Sequence, residues 1–446
     1  MSETLLDYAL VRVLQEQVAD QMTREKQKRA AARLGELTSA DEQQLAWSLI
    51  GRVVARQMQT QLAAGEALPD ASHDQRLADA VYAAMYQAGE LQELLTDDLV
   101  ENININGADE VWVTYADERG KVRGRPVAAS DDDLIDIVQN LAAYAGLNAR
   151  PFSVASPQLD LRLPDGSRLS ALMCAGERPS VSIRRNRFPQ MFLRLLLEFG
   201  TIDAQLAAFL QAAVLARCNI MIAGATDAGK TTLLRALINC ILAGERLITI
   251  ERALELGLRR HPELHPDVLE WEEVLPDSDG KGGITIDELV RRSRRQDPSR
   301  VICGELLGPE VVSVLTAMSQ GNDGSLSTVH ARSASDVFHK LTTYAAQFQG
   351  LDVAVTHSLI ASSIDFIVFI AKNPLQRGQR CVAQVLEVNG MAGDRAARSS
   401  IFSTSPADGR AQRDPDVPIM RATELARHGY DDTGWAWSPA SLRAAR

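Results

Sequence analysis

The stretch GATDAGKTT, Gly224 to Thr232, constrains the fold more than any other part of the chain. Gly224-x-x-x-x-Gly229-Lys230-Thr231 fills the pattern G-x-x-x-x-G-K-[ST] completely. Such a loop works only where an apolar strand delivers it and a helix leaves it, because its phosphate ligands are backbone N–H groups converging on a helix N-terminus. Both flanks are present: NIMIAG reads as a buried strand and TTLLRALINCIL as a helix. Ala225, Thr226, Asp227 and Ala228 complete the loop. Lys230 is placed to pair with β/γ phosphate oxygens and Thr231 to offer its hydroxyl to Mg2+, and Thr232 joins the loop residues as a nucleotide-binding position. The implied ligand is ATP with Mg2+.

Strands and helices alternate around this unit. AQLAAFLQAAVLARC is a helix, ERLITIER a strand, and IDELVRRSRRQDPSRVICGE a helix followed by a strand. IDFIVFIAK and CVAQVLEVNG are further strands. The alternation predicts an α/β domain over 187–390, with a mostly parallel sheet covered on both faces. The Phe188-Pro189 step marks its start. Before it, 99–186 reads as an α+β domain: strand-like alternation around Asn106-Gly107, a helix in DDDLIDIVQNLAAYAGL, and a hairpin turning at Pro164, Asp165 and Gly166. Residues 1–98 form a helical extension. Leu6, Leu10, Leu14 and Val18 recur every fourth residue with Val13 filling the stripe, and Ser39/Glu42 and Ser72/Gln75 suit helix starts. From 391 to 446, abundant Gly, Ser, Asp, Pro and Arg predict a loop-rich tail with one short closing helix.

A length of 446 residues implies two or three domains. The formal net charge of -11 argues against a protein that lives by non-specific nucleic-acid binding. Cys174, Cys218, Cys240, Cys303 and Cys381 are too scattered for a CxxC metal site, which favours a reduced, cytoplasmic setting. No run of about 18 apolar residues reads as a transmembrane segment. Work at a membrane would then pass through a partner.

A phosphate loop needs a carboxylate at the end of a neighbouring strand, and RVICGE supplies Glu305. It can hold Mg2+ through water or orient the attacking water. GATDAGKTT, RVICGELLGPE and GNDGSLSTVHARS, in that order, resemble the type II/type IV secretion ATPase superfamily. ENININGADEVWV, LPDGSRL and VSIRR resemble the amino-terminal domain of its Tad (Flp) pilus, CpaF-type branch. The resemblance spans roughly 95–390. It implies a RecA-like P-loop ATPase domain, a homo-hexameric ring, ATP and Mg2+, inner-membrane platform proteins as partners, no nucleic acid, and a place at the cytoplasmic face of the membrane. It makes Glu305 the Walker B glutamate and His330 the histidine-box residue that couples nucleotide to ring. Arg168 and Arg184 match arginines able to reach phosphates from the amino-terminal domain. TIERALEL matches an acidic box in which Glu251 and Glu255 can serve as water-activating carboxylates.

Two residues depart from the family pattern. Asp227 stands where glycine is usual, and Arg252 where aspartate is usual. Turned inward, Asp227 would cost roughly a hundred-fold in nucleotide affinity; turned outward, little. These departures keep a second reading open, a nucleotide-binding but weakly or non-hydrolysing ring component. A third, a nucleic-acid translocase, would use the five arginines of RRSRRQDPSR, Arg291 to Arg300, as a basic patch.

Overall fold

The computed structural model describes residues 8–31, 39–63, 72–86, 89, 91–145, 152–163, 165–274, 276, 280–376 and 378–432. The chain divides into two compact units, Met1–Arg187 and Phe188–Arg446.

The first unit opens with helices α1 (Tyr8–Ala31), α2 (Ser39–Ala63) and α3 (His73–Tyr86). They share a core in which Val11, Leu14, Val18 and Met22 meet Leu49, Ile50, Val53, Leu77 and Val81. Val13 is 51% exposed and does not fill the stripe. A strict four-residue spacing drifts by about 40° per step around a helix, so the buried row takes in Val11, three residues before Leu14, rather than Val13. Leu6 lies outside the described residues. After α4 (Leu91–Thr96) come β1 (Val100–Asn106), β2 (Val111–Tyr115), β3 (Lys121–Arg123), α5 (Asp131–Ala145), β4 (Gln158–Arg162), β5 (Arg168–Leu172) and β6 (Ser180–Arg184). The six strands order β3-β2-β1-β6-β5-β4, every pair antiparallel. One face of the sheet carries Ile103, Ile105, Leu169, Val181 and Ile183 into a core with Leu134, Val138 and Leu141 of α5. The alternate positions are polar, among them Asn102, Asn104, Ser170 and Ser182.

The second unit is a doubly covered sheet. Its elements are α6 (Leu193–Glu198), α7 (Ala204–Leu215), β7 (Ile220–Gly224), α8 (Lys230–Ile238), β8 (Leu247–Glu251), β9 (Val268–Glu272), α9 (Ile286–Ser293), β10 (Arg300–Leu306), α10 (Val311–Ser319), β11 (Leu326–His330), α11 (Asp336–Gln349), α12 (Val353–Ser363), β12 (Phe366–Lys372), β13 (Arg380–Ala392), β14 (Arg395–Thr404), β15 (Ala411–Arg413) and α13 (Ala422–Ala426). Strand order is β15-β14-β13-β12-β7-β11-β10-β8-β9. The six strands from β12 to β9 are parallel; β13, β14 and β15 add an antiparallel edge. Side chains of β7 alternate between two cores. Ile220 and Ile222 join Phe209, Leu233, Leu237 and Phe366 on one face. Met221 and Ala223 join Ile248, Leu315, Val329 and Ile367 on the other. A strand buried on both sides is apolar throughout, as IMIAG is. The arrangement is RecA-like α/β, with an α+β domain and a helical extension before it.

The segment read as loops from residue 391 carries strand in its first part, up to Arg413, and the short helix α13 after it; residues 433–446 lie outside the described residues. β13 runs on to Ala392, turns at Gly393 (φ +62°), and returns as β14, which buries Ala396, Ile401 and Phe402. Its outward positions are Arg and Ser, which dilute the alternation that identifies a strand. β9, in DVLEWEEV, lies outside the strands read from the sequence; it pairs in parallel with β8 at the far edge of the sheet.

Candidate functional site

The phosphate loop sits where its motif requires. β7 ends at Gly224 and α8 begins at Lys230, with Gly229 capping it at φ +99°. The first-turn N–H groups of α8 have no intrahelical acceptor and point toward the loop's hollow. A Cβ on Gly224 would stand 2.4 Å from the Ile370 carbonyl oxygen, so only glycine lets β7 and β12 close at this point. Asp227 occupies the left-handed region at φ +59°. Its carbonyl accepts a hydrogen bond from Arg380 Nε at 2.9 Å. A guanidinium from the start of β13 thus stands against the one loop residue that departs from glycine.

Three side chains named in the sequence meet in a single hydrogen-bonded chain. Lys230, 7% exposed, donates to Ala225 O at 3.0 Å and to His330 Nδ1 at 3.1 Å. His330 Nε2 lies 2.6 Å from Glu305 Oε1. An ammonium has only donors, so Nδ1 accepts and Nε2 carries the proton that Glu305 receives. Burial, then the Lys230 charge, holds the imidazole below its ordinary pKa against the pull of Glu305. The sheet sets up this meeting: in the parallel β7–β11 pair, His330 is registered directly with Gly224.

Glu305 reaches His330 because β10 is bulged. Cys303 pairs with Ser327 but Leu306 with Val329, so β10 has one residue more than β11 over this interval. The extra residue re-aims the strand end. Gly304 within an apolar strand was the available sequence signal. It also leaves room for Glu251: a Cβ on Gly304 would lie 3.0 Å from Glu251 Cγ.

The two acidic-box glutamates are not equivalent. Glu251 is 4% exposed and its Oε2 accepts from the Glu255 N–H at 2.8 Å and the Leu256 N–H at 3.0 Å. Its Oε1 has no hydrogen-bond partner among the described residues. Burial pushes its pKa up to about 7 despite those two donors. Glu255 is half-buried, on the turn that Glu251 braces. Arg252 points outward, its side chain 66% exposed and Nε 3.1 Å from Glu273 Oε2. The reversed charge in the box is therefore spent on a surface pair.

The profile of the type II/IV secretion system proteins matches residues 85–397. The chain belongs to this family. A Mycobacterium tuberculosis protein named for conjugal transfer is 31% identical over 307 residues, which cover 67% of this chain and 83% of that one. VirB11 of Agrobacterium fabrum is 30% identical over 311 residues, 62% of this chain and 86% of its own. Among solved structures, the pilus retraction motor PilT with bound ADP is 15% identical and aligns over 76% of this chain and 86% of that one, with a TM-score of 0.48.

In this type II/IV secretion family member, Arg168 and Arg184 belong to the first unit, where they are direct cross-strand partners on β5 and β6. Arg162 of β4 is registered opposite Arg168, so three arginines stand in one row across three strands. Like charges side by side cost stability; Arg162 is the member the sequence did not single out. The arginines of RRSRRQDPSR are mostly engaged. Arg291 pairs with Asp287, Arg294 with Gln320, and buried Arg300 with Glu245 at 2.7 Å. No helix among the described residues is long and apolar enough to cross a membrane.

Proposed function

We propose that this protein is an ATP-hydrolysing motor. It works as a homo-hexamer on the cytoplasmic side of the bacterial inner membrane, acts on inner-membrane platform proteins, and powers assembly of a Tad-type (CpaF-like) pilus or protein secretion. The single observation that carries the proposal is the Lys230–His330–Glu305 chain beside the phosphate loop. It puts a phosphate-pairing cation and a strand-end carboxylate each within hydrogen-bond reach of one imidazole that stands between them.

In this account Gly224 to Thr232 receive the triphosphate on backbone N–H groups, and Lys230 exchanges Ala225 O and His330 for β/γ oxygens. Thr231 and Glu305 fit Mg2+, both being hard oxygen donors at the strand and helix ends that frame the loop. The ion, when bound, would supply positive charge to offset that of the phosphates. Glu255, half-buried on a braced turn, orients the attacking water; Glu251 positions that turn through its two backbone bonds. His330, facing both Lys230 and Glu305, registers the state of the nucleotide for the ring. Arg168 and Arg184 supply positive charge toward phosphates.

Phosphate release from Mg-ATP tests the proposal. Steady turnover abolished by Lys230→Ala, with folding intact, supports the motor. Saturable nucleotide binding without turnover would leave only a nucleotide-binding ring component.

A further inference from the structure

The phosphate-loop helix does more than present its N-terminus. Further along α8, Arg235 is 5% exposed, and its guanidinium donates to two backbone carbonyls from different parts of the chain. Nη1 donates to Phe188 O, at the first residue of the second unit, and Nη2 to Glu255 O at 2.9 Å. One turn later Asn239 repeats the pattern. Its Nδ2 donates to Met191 O at 2.8 Å, and its Oδ1 accepts from His265 Nε2 at 2.9 Å. Burial holds the His265 ring neutral, with its pKa lowered to about 4. A third bridge, Gln190 Nε2 to His261 Nδ1 at 2.6 Å, joins the two segments directly. Residues 188–191 and residues 255–265 are thus gripped by the same helix and by each other.

We propose that Arg235 is a positioning residue for Glu255, coupling the joint at Phe188 to the acidic turn. The inference rests on the assignment of Glu255 to water orientation in the proposed function. Through these two bonds the guanidinium acts on geometry: a planar fork holding two backbone acceptors at set positions. The Glu255 turn has its amides tied to Glu251 and its carbonyl tied to Arg235, so the backbone that carries the carboxylate is fixed from both sides. A displacement of the joint pulls on Phe188 O and Met191 O. It reaches the Glu255 turn through rigid donors on one helix, the kind of contiguous network that transmits coupling. A misplacement of about 1 Å at a reacting group can cost about a hundred-fold in rate.

The test uses the full chain, a fluorescent ADP analogue for affinity, Mg-ATP for turnover, and amide hydrogen exchange. Arg235→Gln is expected to lower kcat by at least about tenfold while nucleotide Kd stays within about threefold. Exchange should quicken together at 190–193 and 255–258, with β13–β14 unchanged. In the wild type, Mg-ADP should slow exchange at 190–193, and Arg235→Gln should abolish that slowing. Gln190→Ala, at a half-buried side chain, provides the milder variant if Arg235→Gln does not fold; it should show the same joint effect at smaller size. Normal kcat in Arg235→Gln, or undiminished nucleotide protection of the joint in whichever variant folds, overturns the coupling. If the wild type binds nucleotide without hydrolysing it, the motor fails, and the coupling still stands or falls on the paired exchange at the two segments.

Discussion

At the scale of single residues, Asp227 and Glu251 carry the sharpest consequences. An aspartate at φ +59° is strained by about 1 kcal/mol relative to glycine, and its charge lies in a loop meant for a polyanion. Arg380, donating to the Asp227 carbonyl, puts a compensating cation at the same place. Asp227→Gly is therefore expected to tighten Mg-ATP binding by less than about tenfold, below the roughly hundred-fold of an uncompensated inward carboxylate. Titration calorimetry on both proteins measures it. Glu251 makes a pH prediction. Its folded pKa of about 7 lies above the ordinary 4.5, so between these values the folded protein holds a proton that the unfolded chain has released. Stability must then fall as pH rises through that window, by on the order of 3 kcal/mol. Glu251→Gln should flatten the fall in a pH series of thermal melts, while an equally steep fall in the variant would assign it to other groups. The identities of Lys230, Glu305 and His330 were legible in the sequence because each sits in a motif with fixed spacing. Arg235 and Arg380 were not, since a single arginine in a helix or at a strand start has no local pattern; only the fold brings its partners.

At the scale of elements, the parallel core was legible because strands buried on both faces are near-continuously apolar, as IMIAG and the VIC of RVICG are. β14 was not, because its outward side chains hide the period, and β9 was hidden by the acidic residues around Trp271. The β10 bulge left only one trace, Gly304 in mid-strand, yet it decides where Glu305 points. The close approach of β7 and β12 makes a further prediction. Gly224→Ala drives a Cβ into the Ile370 carbonyl, and rigid strand backbone cannot yield cheaply. Destabilisation of about 1–3 kcal/mol is expected, with weakened nucleotide binding. A melt indistinguishable from wild type would mean that the two strands separate more easily than their register implies.

At the scale of the whole molecule, a sheet with its phosphate loop, His330 and Glu305 at adjacent strand ends follows an α+β domain bearing a row of arginines. Membership of the type II/IV secretion family gives this arrangement its context, and the outward pairing of Arg252 with Glu273 removes one reason to doubt turnover. The central claim is that the site hydrolyses ATP rather than merely holding it. Phosphate release from Mg-ATP by the wild-type chain, set beside Glu305→Gln with nucleotide binding measured on both, tests it most directly. The account predicts steady release by the wild type and a loss of about a hundred-fold or more in Glu305→Gln with binding retained. Bound nucleotide with no release from the wild type would contradict it.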